Sequence, residues 1–170
     1  MNEHRPELSV VLGWEQGCPL PINWLASLQA TLGDLAVHAQ IVIASEKAAC
    51  GANAHIARWV QIARVSHAAL AQVAAERTAG PFVLALLPSA GELPSPQTIR
   101  ALWLNREQAD VLIAARPPGI GSRALQRMLS LPTSDMFGSC RLYRRTALQG
   151  VIGHLSSRSG AVDDLELLAC

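Results

Sequence analysis

The sequence predicts an α/β protein, a doubly wound and mostly parallel sheet with helices on both faces. Three observations point to it. Short apolar runs rich in β-branched residues recur along the chain, at Leu8–Leu12, Gln40–Ala44, Phe82–Leu87 and Asp110–Ala114. Stretches of helical periodicity lie between them. The runs are apolar on both faces, and a parallel sheet covered by crossover helices is the arrangement that buries such strands.

Each element has its own signal. Leu8-Ser-Val-Val-Leu12, closed by Gly13, reads as the first strand. Pro19 and Pro21 precede Trp24, Leu25, Leu28 and Leu32 at helical spacing, which predicts a helix with Pro at its start and Gly33 at its end. Gln40–Ala44 is the second strand, and Trp59–Val65, which alternates apolar and polar, is the third. Ser66 is placed to cap a helix whose apolar face is Ala69, Leu70, Val73 and Ala74, with Gly80 at its end. Phe82–Leu87 is the fourth strand. Ser95-Pro96 caps and starts a helix carrying Ile99, Leu102 and Trp103, and Asp110–Ala114 is the fifth strand. The order of strands and helices, with right-handed crossovers, puts Leu8–Leu12 at the centre of the sheet and Phe82–Leu87 parallel beside it.

At 170 residues the chain is long enough for one domain, residues 1–170, with a core of its own. Only 16% of residues are charged and the net charge is +1, which gives no argument for nucleic acid or an anionic membrane. The opening MNEHRPE lacks the apolar segment of a signal peptide, and no apolar run approaches the ~20 residues that cross a bilayer. A cytoplasmic protein is therefore expected. Cys18, Cys50, Cys140 and Cys170 lie far apart, without CxxC or paired Cys/His spacing, so reduced thiols are expected and a zinc site is not. No GxGxxG, GxxxxGK[ST] or GxSxG occurs. Pro118-Gly-Ile-Gly-Ser122 fits a phosphate-facing turn, but a Gly-rich turn leading into a helix is the plainer explanation. In doubly wound sheets ligands lie beyond the carboxyl ends of the strands, so the residues after Leu12, Ala44, Leu87 and Ala114 are the candidates.

Later in the chain, Thr133-Ser-Asp-Met-Phe-Gly-Ser-Cys-Arg-Leu-Tyr-Arg-Arg145 carries Asp135 six residues before Arg141, followed by Arg-Leu-Tyr-Arg-Arg. This stretch resembles the D-P-T-S-G-F-R-L-Y-R-R segment of family 2 glycosyltransferases of the dolichol-phosphate mannose synthase type. The middle departs, with Gly138-Ser139-Cys140 where S-G-F is usual. Four further segments are similar in the family's order: ELSVVLGWEQG near the start, AGPFVLALLPSAGELPSP, Ala109–Arg116, and Val162–Leu168. Together they span nearly the whole chain.

The resemblance implies a GT-A fold, a nucleotide-sugar donor linked to UDP or GDP, and transfer of a hexose to a lipid phosphate or other hydroxyl acceptor. It also implies a divalent cation, Mg²⁺ or Mn²⁺, held by Asp-x-Asp at the end of the fourth strand. Leu87-Pro88-Ser89 stands there instead, so the ligands are missing and no bound metal is expected. Glu92, three residues on, offers one carboxylate. After the second strand the family's aspartate pair is Ser45-Glu46, where Glu46 keeps a carboxylate able to accept from a base N–H. Trp14 either stacks on the base or covers the sheet end. Asp163 and Asp164 either deprotonate the acceptor or charge a helix N-terminus. Arg141 either pairs with phosphate or bridges to Asp135. Arg116, Arg144 and Ser89 complete the expected donor-binding set. A non-catalytic relative, a binding or regulatory module that keeps only the fold, is the alternative.

Overall fold

The computed structural model describes residues 5–14, 21–46, 57–88, 93–114 and 140–159, the stretch 154–159 by backbone alone. Strand β1 (Leu8–Trp14) leads to helix α1 (Ile22–Asp34), β2 (Ala39–Ser45), β3 (Arg58–Gln61), α2 (His67–Arg77) and β4 (Phe82–Leu86). Helix α3 (Pro96–Leu104), β5 (Val111–Ile113), β6 (Cys140–Arg144) and α4 (Arg145–Ser159) complete the order. The sheet order is β3-β2-β1-β4-β6-β5. β1 is central as expected, parallel to β2 on one side and to β4 on the other, and β3 is parallel to β2. β6 runs antiparallel to both β4 and β5, so β5 keeps the direction of β1 and β4.

The period-two alternation of the strands divides the interior into two layers. Leu8, Val10, Leu12, Ile43, Leu84, Leu86 and Leu142 face α1 and α3, against Leu25, Leu28, Ile99 and Trp103. Val11, Val42, Ala44, Val83, Ala85 and Tyr143 face α2 and α4, against Leu70, Val73, Ala74 and Leu148. A sheet covered on both faces explains why β1 and β4 are apolar at nearly every position.

Ser66 and Ser95 act as N-caps, their hydroxyls accepting from the Ala69 and Thr98 amides at 3.1 and 3.2 Å. The end of α1 differs from the Gly33 reading. The helix runs through Gly33 to Asp34, and Ala36 takes the left-handed turn with φ 53°. The Val37 amide donates to the Leu32 carbonyl and the Ala36 amide to Gly33, both at 2.9 Å, the pattern of a helix end that favours glycine at the left-handed residue. Ala36→Gly is therefore expected to stabilise the protein by about 1 kcal/mol, read as a rise in denaturation midpoint at unchanged m-value.

Three further boundaries differ from expectation. The third strand covers Arg58–Gln61 rather than Trp59–Val65: after the Ile62 amide donates to the Ser45 carbonyl at 2.9 Å the chain leaves the sheet, which brings Val65 over β1. Helix α2 ends at Arg77 with Thr78 extended, and Gly80 lies further on, buried where a Cβ would meet Ser9 and the backbone of Leu8. The fifth run is a three-residue edge strand with Val111 exposed, and the position beside β4 that a fifth parallel strand would take belongs to β6.

Candidate functional site

The carboxyl ends of β1 to β4 meet along one edge. In register, Trp14 at the end of β1 lies beside Ser45 at the end of β2, and Ser45 beside Gln61 at the end of β3. These three side chains alternate onto the face covered by α1 and α3. Trp14 is half-buried against that layer and Ser45 is buried. Glu46 follows, exposed, and its carbonyl accepts from Gln61 Nε2 at 3.2 Å. A base-sized aromatic face, a hydroxyl and a carboxylate thus share one strip of the edge. Gln61 was not among the expected site residues; the expected strand Trp59–Val65 placed it inside the run rather than at its end.

Leu87 continues β4 on the opposite face. A Cβ built on Gly13 would lie 3.1 Å from Leu87 Cδ1, 2.8 Å from Val65 Cγ1 and 3.1 Å from Leu70 Cδ1. The absent side chain of Gly13 is the seat into which these three apolar groups close.

Two of the three arginines of the Arg-Leu-Tyr-Arg-Arg segment, Arg141 and Arg144, part company. Arg141, opposite Ala85 and Ile113, is only 1% exposed, on the layer of Tyr143 near the carboxyl end of β4. Arg144 sits opposite Phe82, at the amino end of β4 and so at the far edge of the sheet from Trp14, Ser45 and Glu46. There it pairs with Asp110 at 3.0 Å and Glu107 at 3.1 Å and lies 5.5 Å from the centre of the Phe82 ring. Antiparallel direction thus places Arg144, expected in the donor-binding set, away from the edge that carries Trp14, Ser45 and Glu46.

Cys140, opposite Leu86, is buried, and burial pushes its thiol from 9.0 up to about 12. The sign follows from linkage. Below about pH 9 both folded and unfolded chains hold the proton, whereas between 9 and 12 the unfolded chain releases a proton that the folded chain keeps. Stability is therefore full below pH 9 and falls above it, by at most about 1.4 kcal/mol per pH unit from this group. Comparing melts of the native chain and Cys140→Ala from pH 8 to 10.5 checks this: the native chain should lose stability more steeply.

No family model matches the chain, and no curated protein matches it. Among solved structures, mannosyl-3-phosphoglycerate synthase from Rubrobacter xylanophilus superposes with a TM-score of 0.65 at 14% sequence identity, covering 91% of this chain and 63% of that one. The fold is the GT-A glycosyltransferase fold. A second structure, mannosyltransferase PcManGT from Pyrobaculum calidifontis in complex with GDP-Man and Mn²⁺, gives a TM-score of 0.49 at 13% identity over 96% of this chain and 51% of that one. The chain thus spans less than two thirds of the length of each.

Within the GT-A frame, the end of β4 is where the resemblance implies a divalent cation. The described residues there do not fit one. Leu87 offers no side-chain oxygen and turns its side chain into the core over Gly13, and Pro88 has no polar side-chain atom. Among the described residues no cluster of three His, Cys, Asp or Glu side chains is placed to hold a metal. Ser89, Glu92, Arg116, Asp135, Asp163 and Asp164 lie outside the described residues. Among those described, no helix is long and apolar enough to cross a membrane.

Proposed function

We propose that the chain is a family 2-like glycosyltransferase domain that binds a UDP- or GDP-linked sugar at the carboxyl edge of its sheet and transfers the hexose to a lipid phosphate or other hydroxyl acceptor. The observation that supports this reading is the alignment of Trp14 and Ser45 on adjacent parallel strand ends, with Glu46 next in the chain, at the place where doubly wound sheets hold ligands. Glu46 accepts from a base N–H, Trp14 stacks on the base, and Asp163 or Asp164 takes the acceptor's proton. Ser89, Glu92, Arg116 and Asp135 line the remainder of the donor site, and Arg141 braces the strand ends from behind.

No step in this reading runs through a cation. The departing nucleoside diphosphate then needs other positive charge, and Arg116, three residues beyond β5 in the sequence, is the candidate. Loss of one charge-stabilising group of this kind slows transfer by roughly 10²–10³. The second reading, a nucleotide-sugar-binding module without turnover, is favoured by one observation: Leu87 fills the core where a metal-binding carboxylate would have to stand.

Transfer assays separate the two. The chain is incubated with radiolabelled GDP-mannose, UDP-glucose or UDP-N-acetylglucosamine and polyprenyl phosphate, with chelator and again with Mn²⁺. Product in chelator that disappears in Arg116→Ala supports a metal-independent transferase. Absence of product from a folded chain that binds donor leaves the module reading.

A further inference from the structure

We infer that the amino edge of the sheet, opposite the proposed donor site, carries an anion-binding site for a phosphate group, formed by Arg5, Arg58, Arg77 and Arg145 around the carboxyl end of α2. Three guanidinium groups from three separate parts of the chain reach one five-residue stretch, Ala75–Ala79. Arg5 Nε donates to the Ala79 carbonyl at 3.0 Å, and Arg58 Nη1 to the Arg77 carbonyl at 3.4 Å. Arg145 Nη1 and Nη2 donate to Thr78 Oγ1 at 2.7 Å and the Ala75 carbonyl at 2.8 Å. The negative end of the helix dipole and its free carbonyls hold the cations in place.

These bonds use only part of the donor capacity. Each guanidinium carries five N–H groups, and Arg5 and Arg58 each commit one nitrogen here while remaining exposed. Arg77 is exposed on the same turn. Among the described residues none of the four forms an ion pair. Among the described residues, the carboxylates nearest in the chain are engaged elsewhere: Glu7 accepts from the His38 amide at 3.3 Å and Glu76 from Gln72 Nε2 at 3.0 Å. Two of the charges are close enough to act on one another: Arg145 binds its proton less tightly than usual because of burial and, second, the charge of Arg5. Guanidiniums anchored on one five-residue stretch, with N–H groups to spare, favour a multiply charged, oxygen-rich anion, and phosphate matches the planar fork bidentately.

Thermal melts of the full chain in sodium phosphate and sodium pyrophosphate, against sodium chloride at matched ionic strength, test the inference. A saturable rise in Tm with the phosphates and none with chloride is expected. Arg77 makes no side-chain hydrogen bond or ion pair to a described residue, so Arg77→Gln tests the site with α2 left intact. The double variant Arg5→Gln/Arg77→Gln should weaken the apparent phosphate affinity about tenfold or more. Sedimentation with phosphatidylglycerol vesicles identifies the source. Pelleting that the double variant abolishes assigns the phosphate to a lipid headgroup, and a phosphate response without pelleting assigns it to a free phosphate. Equal Tm shifts in phosphate and chloride, or a phosphate response unchanged in the double variant, would overturn the assignment, because the anion would then lie elsewhere, the donor edge included.

Discussion

Arg141→Met is expected to destabilise the protein by roughly 3–5 kcal/mol, although methionine is apolar and fits a buried position well. The guanidinium is 1% exposed within the sheet, between Ala85 of β4 and Ile113 of β5, and is held by interactions of its own. Removing one member of a buried polar arrangement leaves the other members desolvated and unsatisfied, which costs more than the arrangement contributes net. Arg141→Lys should recover little, because an ammonium cannot reproduce the planar fork. Chemical denaturation of the three proteins checks this. A methionine variant within about 1 kcal/mol of the native chain would show that Arg141 fills space and nothing more.

The second large effect is expected at Gly13. Gly13→Val should cost about 1–3 kcal/mol, because its Cβ alone would stand 2.8 Å from Val65 Cγ1 and 3.1 Å from the Leu70 and Leu87 side chains. The site is coupled to Leu87, so the costs should not add. Leu87→Ala empties part of the space that the valine needs, and the double variant Gly13→Val/Leu87→Ala should be more stable than the sum of the single costs implies, by 0.5 kcal/mol or more. Strict additivity would mean that Leu87 does not close over Gly13, and the physical reason given for an apolar end to β4 would go with it.

Much of the fold was legible because burial on both faces writes itself into strand composition. β1 and β4 are almost wholly buried, and their apolar runs mark the centre of the sheet. The edge was harder to read. Val111–Ile113 is as apolar as a core strand yet only half-buried, with Val111 exposed, whereas Cys-Arg-Leu-Tyr-Arg, with two arginines, is the strand that fills the interior between β4 and β5. Composition cannot anticipate a buried guanidinium, since its burial is set by the strands that flank it on either side. At the end of α1 the glycine rule pointed to Gly33, while packing placed the left-handed turn at Ala36.

The candidate site was legible only where a residue's strand position was legible. Trp14, Ser45 and Glu46 follow two well-marked strands, and register brings them together. Arg141 and Arg144 looked like one basic cluster in sequence. Three residues of extended chain separate them by about 10 Å and an odd step puts them on opposite faces, so the cluster disappears once the segment is a strand.

The central claim is that the carboxyl edge binds a nucleoside-diphosphate sugar without a cation at the end of β4. Calorimetric titration of the chain with GDP-mannose and UDP-glucose, in excess chelator and again in Mn²⁺, tests it most directly. The account predicts saturable binding of at least one donor, with the same affinity in both conditions, weakened by Glu46→Ala. Binding that vanishes in chelator and returns with Mn²⁺ would contradict it, as would binding to neither donor in either condition.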